Sequence, residues 1–408
     1  MRNLSFLCVT GALMFPGAIL DATPCQAEIK LQAQAQLPGD AADKSGLNGK
    51  LAGGIPHNQL GGFSAIAYSG RDDIYWLLSD RGPADGATKF SCRVHKFKIS
   101  PPTAGNPLHP ELLETVLLTD PAGQQLVGSA TEFDPEHPLK ALRFDPEGLR
   151  LGRDGSLFLS EEYAPHIAQF SPQGKRLQQF PLPPRFGIKT HSASPDTEGL
   201  NTSGRQPNAG PEALAIVPDG SRLVTVLQRA LIQDHGKRGH GENVRIVEIP
   251  LKAGTPREFI YRLDSVKNGV NEIVAINDHE FLVLERDGEA GNEAKFKKIM
   301  RINLYRKPGE LATDVSHVDS LPDKKLPDGI HHVKKEVFLD LLDPKFGLKG
   351  EKFPEKHEGI CFGPRQGQHI TLITVSDNDF KRAMPSTFQM FSISAEELPD
   401  FVPQQFDQ

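Results

Sequence analysis

The sequence predicts an all-β protein that folds as a β-propeller of about six blades. Three observations lead to this prediction. A unit of short apolar strands recurs along the chain, 38 glycines and 33 prolines separate these strands, and the pattern shows little long helical periodicity. Many short strands joined by turns are typical of radially repeated β architectures.

The first 27 residues have the pattern of a secretory signal peptide. Arg2 precedes an uncharged run from Leu4 to Phe15, and a polar segment ending in Ala27 follows. The apolar run is shorter than the roughly 20 residues that cross a membrane. We therefore expect cleavage after Ala27, export to the periplasm or the medium, and no membrane association of the mature protein.

Behind the signal peptide (1–27) the sequence predicts an N-terminal segment (28–53) and one propeller domain (54–400). The net charge of −6 argues against a nucleic-acid partner, because such proteins carry a strongly basic face. We expect a monomer whose partner is a small molecule.

The repeated unit has an acid, a small residue, an aliphatic residue, a polar turn, an apolar strand and a second acid. Its clearest copies start at Glu147, Glu212, Glu272 and Glu358, about 60 to 86 residues apart, and an imperfect copy spans 62–82. This spacing suits a four-stranded blade. Five copies are visible, and the length of the mature chain divided by the spacing predicts about six blades. A β-sandwich, the main alternative, does not explain why an acid recurs at one place in the unit.

The recurrent acids are candidate metal ligands, because matching positions of each blade converge on the central channel. Carboxylates that face one another repel unless a cation neutralises them, and oxygen ligands suit calcium or magnesium. The candidate ligands of a divalent cation, calcium first, are Asp80, Glu147, Glu161, Glu212, Glu285, Glu358 and Asp377. Glu162 is the alternative to Glu161. The competing interpretation is that each acid binds backbone N–H groups and fixes blade packing.

Two arginines follow acids at strand ends and are candidate catalytic residues. Arg81 follows Asp80 and Arg286 follows Glu285. A guanidinium can grip a phosphate through two hydrogen bonds. The alternative is an ion pair with the neighbouring acid that holds a loop. The acidic loop 287–293 is a further calcium candidate, although it lacks the spacing of an EF-hand.

Seven short segments of the chain resemble the phytase-like family, also described by the esterase-like activity of phytase. They are Ser79-Asp80-Arg81-Gly82, Asp145-Pro146-Glu147-Gly148-Leu149, Ser160-Glu161-Glu162, Gly210-Pro211-Glu212-Ala213-Leu214, Leu284-Glu285-Arg286-Asp287, Glu358-Gly359-Ile360 and Ser376-Asp377-Asn378-Asp379. The resemblance spans roughly 54–391. It implies a propeller fold and the hydrolysis of phosphate esters or other esters.

Missing motifs narrow the chemistry. The sequence has no G-x-S-x-G nucleophile elbow and no signature of a histidine or cysteine phosphatase. Hydrolysis would therefore use water activated by a metal ion. Two other functions stay open: a non-catalytic propeller that binds a ligand or protein, and a sugar-lactone hydrolase of the gluconolactonase type.

Two cysteines, Cys92 and Cys361, remain after removal of the signal peptide. They lie in the first and last visible units, which become neighbours when a propeller closes. An exported protein can form disulfides, so we expect a bond between them. Two buried thiols are the alternative.

Overall fold

The computed structural model describes residues 28–134, 136–192, 194–235, 241–307 and 309–407, with the side chains of 306 and 307 left out. The predicted signal peptide and its cleavage after Ala27 lie outside the described residues. β1 (Ile29–Leu37) precedes the first sheet, which contains β2 (Phe63–Tyr68), β3 (Ile74–Ser79), β4 (Arg93–Ser100) and β5 (His109–Leu117). The second sheet contains β6 (Pro146–Leu151), β7 (Leu157–Glu161), β8 (His166–Phe170) and β9 (Arg176–Pro181).

The remaining sheets follow in chain order. The third contains β10 (Pro211–Ile216), β11 (Arg222–Leu227), β12 (Asn243–Pro250) and β13 (Arg257–Arg262). The fourth contains β14 (Gly269–Ala275), β15 (Glu280–Arg286), β16 (Lys297–Asn303) and β19 (Lys334–Asp340). A small hairpin of β17 (Tyr305–Lys307) and β18 (Glu310–Leu311) is inserted before β19. The fifth contains β20 (Lys356–Gln366), β21 (His369–Asp377), β22 (Ser386–Ser394) and the N-terminal β1.

Helical structure in the described residues is confined to single turns in the loops. The one α-helical turn is α1 (Pro195–Glu198). The 3-10 turns are Ala52–Gly54, Ala130–Glu132, Pro138–Lys140, Pro184–Phe186, Ile232–Asp234, Gly291–Glu293 and Pro344–Phe346.

The propeller fold is confirmed, but the described residues form five blades, so the prediction of about six is wrong. The 86-residue interval after Glu272 does not hold an extra blade. It holds the inserted hairpin and a long loop, 312–333, with a small core of its own around Val315, Leu321 and Leu326. Residues 28–53, which the sequence sets apart from the propeller domain, contain β1 and supply the outermost strand of the fifth sheet.

The first strand of the chain closes the propeller against the last one. β1 pairs antiparallel with β22, from Ile29 opposite Ile393 to Leu37 opposite Ser386. Its side chains alternate between exposed glutamines and partly buried aliphatic residues, as expected for a strand with one solvated face. The fifth blade is therefore built from both ends of the chain.

The inner strand of each sheet contacts the inner strands of the neighbouring sheets around a central axis. These five strands are β2, β6, β10, β14 and β20. The hydrophobic core lies between neighbouring sheets, where their apolar faces meet. Phe63 of the first sheet, for example, packs edge to face on Phe388 of the fifth, with ring centroids 6.2 Å apart.

The predicted disulfide is wrong, because Cys92 and Cys361 are both buried free thiols. They lie on opposite sides of the first blade. Cys92 belongs to the core between the first and second sheets, where its thiol donates to the carbonyl of Phe144 at 3.2 Å. Cys361 belongs to the core between the fifth and first sheets. Blade packing therefore separates the two sulfurs.

Candidate functional site

A β-bulge at the start of each inner strand presents one residue at the mouth of the channel. The pairing register shifts at the same place in all five sheets. An extra residue in one strand of a pair bends that strand. The side chain of the extra residue then no longer follows the regular alternation of side chains between the two faces of the sheet. The residues at these bulges, here called the bulge ring, are Ser64, Glu147, Glu212, Asn271 and Glu358.

The small residue that follows the acid in the repeated unit is required by packing. A side chain at Gly148 would meet Leu214 Cβ at 2.6 Å, and one at Gly359 would meet the backbone of Ile66 at 3.0 Å. Neighbouring inner strands therefore approach too closely for a larger residue at these positions. The acid-small-aliphatic pattern encodes a bulge followed by a close contact between strands.

A second set of residues lies where the second strand of each sheet ends, and is here called the strand-end ring. Its members are Asp80, Glu162, Gln228, Arg286 and Asp377. Arg286 pairs with Gly269, and Asp377 with Lys356. The backbone N–H groups of the other three donate to Gly62, Asp145 and Gly210, at the matching positions of their inner strands.

Both rings contribute to one cavity of about 200 Å³, here called the mouth cavity. Its lining carries acids and bases in similar number. The lining residues with ionisable side chains are Asp80, Arg81, Glu147, Glu212, Arg229, Lys267, Arg286, Glu355, Lys356 and Glu358. The cavity therefore offers carboxylates to a cation and basic side chains to an anionic group of a ligand.

Arg81 lies among three buried carboxylates at one side of the cavity; Arg81 and Glu147 line the cavity itself, whereas Asp145 and Glu162 do not. Its Nη1 is 2.7 Å from Asp145 Oδ2, 3.9 Å from Glu162 Oε2 and 4.0 Å from Glu147 Oε1. Each of the three acids offers an oxygen within 4.8 Å of the oxygens of the other two. Asp145 Oδ1 and Glu162 Oε2 accept no hydrogen bond among the described residues. The acids therefore retain oxygens for a cation beside Arg81.

Burial and the repulsion of nearby carboxylates raise the pKa of two of these acids, Glu147 and Glu162. Burial, with Asp145 nearby, raises the pKa of Glu162 to about 7. Burial also raises the pKa of Glu147 well above its usual range, and Glu212 and Asp145 raise it further. A cation would relieve both the desolvation and the repulsion.

The opposite side of the cavity is rich in cationic groups. Arg286 Nη2 donates to Glu358 Oε1 at 2.7 Å, and its Nε has no acceptor among the described residues. Arg229 and Lys267 are exposed at the rim, and neither forms an ion pair within the described ranges. Gln228 donates to Glu212 Oε1 at 2.8 Å. This side can bind an anionic group of a ligand.

Asp377 lies beside the cavity, where burial and the nearby Glu358 raise its pKa to about 7. Lys356 Nζ is 3.3 Å from Asp377 Oδ2 and also bonds Asp379. Asp80 lines the cavity itself, and burial with Asp377 nearby raises its pKa well above the usual range.

Two of the predicted metal ligands, Glu161 and Glu285, lie away from the cavity. Glu161 accepts the backbone N–H groups of Asp145, Tyr163 and Ala164. Glu285 accepts from Tyr261 Oη at 2.6 Å, Asn268 and Lys335. Each precedes a strand-end residue by one position, and successive residues of a strand point to opposite faces. These two acids therefore hold loops and blade contacts, as the alternative interpretation expected.

The predicted calcium loop 287–293 is organised around Asp287, which is already engaged. Its carboxylate accepts the backbone N–H groups of Lys295 and Phe296 and pairs with Lys297 at 2.8 Å. The Lys297 ammonium already neutralises this carboxylate.

Sequence reasoning missed several residues in and beside the mouth cavity. Asn271, and not Glu272, occupies the bulge of the fourth sheet. Asp145 and Lys356 lie opposite strand-end residues of their own sheets. These positions become visible when the units are aligned on their β-bulges in the structure. An alignment on the acid of the sequence pattern does not show them.

A family model described as "Phytase-like: Esterase-like activity of phytase" matches residues 58–380. A curated relative, an uncharacterized secreted protein of Arthroderma benhamiae, is 28% identical over 471 residues, covering 88% of this chain and 89% of the relative. Similar solved structures include a calcium-binding regucalcin of Agrobacterium tumefaciens, with 10% identity, a TM-score of 0.37 and coverage of 93% and 99%. Another is a gluconolactonase of Xanthomonas campestris, with 12% identity, a TM-score of 0.37 and coverage of 88% and 97%. The described residues include no helix long and apolar enough to cross a membrane.

Proposed function

The chain belongs to the phytase-like family, and we propose that it hydrolyses phosphate esters or related esters with a divalent cation, calcium first, bound in the mouth cavity. One observation carries the proposal. Asp145, Glu147 and Glu162 converge within 4.8 Å, and two of their buried oxygens lack a donor among the described residues. Sites made only of oxygen ligands suit calcium and magnesium better than zinc.

When bound, the cation would polarise the ester and lower the pKa of a coordinated water. The chain's own residues bind and orient the substrate. Arg286 offers its unpaired Nε, and Arg229 and Lys267 add positive charge on the same side of the cavity. Arg81 neutralises part of the acidic cluster and lies beside the substrate space. These cations favour an anionic substrate such as a phosphate monoester.

Calcium titration and chelation test the proposal through melting temperature and hydrolysis of p-nitrophenyl phosphate and p-nitrophenyl acetate. A cation that binds only the folded state raises the melting temperature, so calcium should stabilise and EDTA should destabilise the protein. Glu147→Gln and Glu162→Gln should weaken calcium binding by at least about tenfold and lower turnover in parallel.

Glu289→Gln is the matched control, because Glu289 is exposed in the loop 287–293 and outside the mouth cavity. It should leave the calcium response and turnover unchanged. If the wild-type protein melts and turns over identically in EDTA, the metal-dependent mechanism is wrong.

A non-catalytic binding propeller is the second candidate, and the ion pairs of the mouth cavity favour it. Arg81 with Asp145, Arg286 with Glu358 and Lys356 with Asp377 already neutralise much of the acidic charge. Binding of an anionic ligand without turnover on the substrate panel would support this candidate.

We further propose that the protein acts outside the cytoplasm, in the periplasm or the medium, as a monomer. The sequence of residues 1–27 and the description of the Arthroderma benhamiae relative as secreted support export. N-terminal sequencing of exported protein should give a start at Glu28.

A further inference from the structure

The central channel is closed between its two ends by Arg150 of β6. Its Nη1 donates to the carbonyls of Leu149 and Ile66, and its Nη2 donates to those of Ile273 and Ile360. These carbonyls belong to the inner strands of four of the five sheets. Arg150 Nη2 also lies 3.1 Å from Glu272 Oε1. The mouth cavity is therefore separated from whatever space lies beyond Arg150.

A second cavity of about 300 Å³ lies at the other end of the channel. Arg150 lines it, and so do apolar residues at the distal ends of the inner strands, among them Ala67, Ile216, Val274 and Phe362. Its volume is in the range of ligand pockets, which are mostly apolar with a few polar groups that fix orientation.

The C-terminal residues 399–407, here called the strap, cross the outer side of this second cavity. The backbone N–H groups of Val402, Gln405 and Asp407 donate to carbonyls of Ile276, Pro218 and Arg153, which lie one or two residues after the ends of the inner strands of three different sheets. Phe401 and Phe406 of the strap line the cavity. We call this space the strap cavity.

Arg150, which lines the strap cavity, keeps one unsatisfied donor. Arg150 is 3% exposed, and its Nε–H has no acceptor among the described residues. A buried donor without an acceptor costs free energy that a suitable ligand atom would recover. Burial raises the pKa of Glu272 to about 8, although the nearby Arg150 lowers it.

We propose that the strap cavity binds a small carboxylic acid with an apolar chain, whose carboxylate accepts a hydrogen bond from Arg150 and whose chain packs on the aromatic residues of the strap. The apolar walls favour the chain, and the guanidinium favours an anionic acceptor over a cationic head group. This site is separate from the mouth cavity and does not depend on the proposed hydrolysis.

Calorimetry with octanoate tests the proposal on the full-length mature protein. Octanoate should bind with a stoichiometry of one and raise the melting temperature, and octylammonium, with the same chain and the opposite charge, should do neither. Binding should persist in EDTA and in Glu147→Gln, which separates this site from the mouth cavity. Equal binding of the two amphiphiles, or none, would overturn the proposal.

Val274→Trp should abolish octanoate binding, because Val274 lines the strap cavity and the indole would fill it. Val337→Trp is the matched control, since Val337 is 54% exposed on β19 and outside the cavity. A crystal grown with 8-bromooctanoate keeps the test decisive if Val274→Trp fails to fold. Anomalous signal from bromine inside the strap cavity supports the proposal, and signal only elsewhere contradicts it.

Discussion

Arg81 shows how one residue can hold a cluster of like charges together in this protein. The three acids around it are almost completely buried, and Arg81 itself is 7% exposed. Removal of one partner from a buried ion pair is strongly destabilising because the remaining charge has lost its counter-ion. Arg81 therefore stabilises the metal-free protein in a place where a cation would also do so.

His95 is a different kind of buried ionisable residue, because it is held neutral. It is fully buried in β4, between the hydroxyls of Ser79 and Thr115 at 3.1 and 3.0 Å. Burial, together with the nearby Arg93, lowers its pKa to about 3, although Asp43 raises it. The folded protein therefore leaves this imidazole unprotonated at pH values where the unfolded chain protonates it.

We predict that His95 contributes to acid sensitivity. The unfolded imidazole takes up a proton below pH 6.5, whereas the folded one does so only near pH 3, so stability falls as the pH decreases through this window. The loss should be about 2 kcal/mol between pH 6.5 and about pH 5. Chemical denaturation at several pH values measures it. In His95→Gln the loss of unfolding free energy between these two pH values should be smaller by this amount. An unchanged loss would contradict the assignment.

At the scale of single strands, the bulges decide which residues reach the mouth cavity. In the fourth sheet Asn271 occupies the bulge and donates to Glu212 Oε1 at 3.3 Å. Glu272 occupies the next position, where the other sheets have glycine or alanine, and its carboxylate accepts the backbone N–H of Leu214. Asn271 and Glu272, which are adjacent in one strand, thus contact two different parts of the channel.

We predict that Asn271→Asp changes the calcium response and that Glu272→Gln does not. Asn271→Asp removes a hydrogen bond to Glu212 and adds a like charge, so the metal-free protein should melt at a lower temperature. Because calcium would relieve this repulsion, the calcium-induced rise in melting temperature should exceed that of the wild-type protein. Glu272→Gln should leave the calcium-induced rise unchanged. A larger change in the calcium response for Glu272→Gln than for Asn271→Asp would contradict the assignment of Asn271 to the bulge.

The sequence predicted strands, the repeated unit and six of the fifteen residues that line the mouth cavity, but not the side of the strand on which each acid lies. Asp80 and Glu358 were identified because they stand at the strand end and the bulge. Glu161 and Glu285 were assigned one residue too early. A one-residue error reverses the direction of a side chain, and the composition of the unit contains no information that excludes such an error.

For the whole molecule, the number of blades depends on a pairing between distant parts of the chain. Counting repeats could not show that the outermost strand of the fifth blade comes from residues 29–37, because β1 carries none of the repeated acids. The inserted hairpin and loop 312–333 lengthened one interval and made the average spacing a poor measure. Local sequence patterns therefore did not determine which strands pair or how many blades form.

We predict that a charge on the inner face of β1 weakens the entire propeller. Ala35 packs against the core between the fifth and first sheets, whereas the adjacent Gln34 is exposed. Ala35→Asp should lower the free energy of unfolding by about 1 to 3 kcal/mol. Gln34→Asp should change it by less than about 0.5 kcal/mol. Urea denaturation measures both, and equal effects would show that β1 does not act as a structural closure.

The pairing of β1 with β22 also sets the order of events during folding. Ile29 and its partner Ile393 are separated by 364 residues (393 minus 29). Contacts between residues so far apart in sequence form slowly, because a long loop must close first. Until then β22 presents an open edge that can pair with another chain. A nascent or truncated chain that ends before β22 cannot complete the fifth blade, so its β1 has no partner strand.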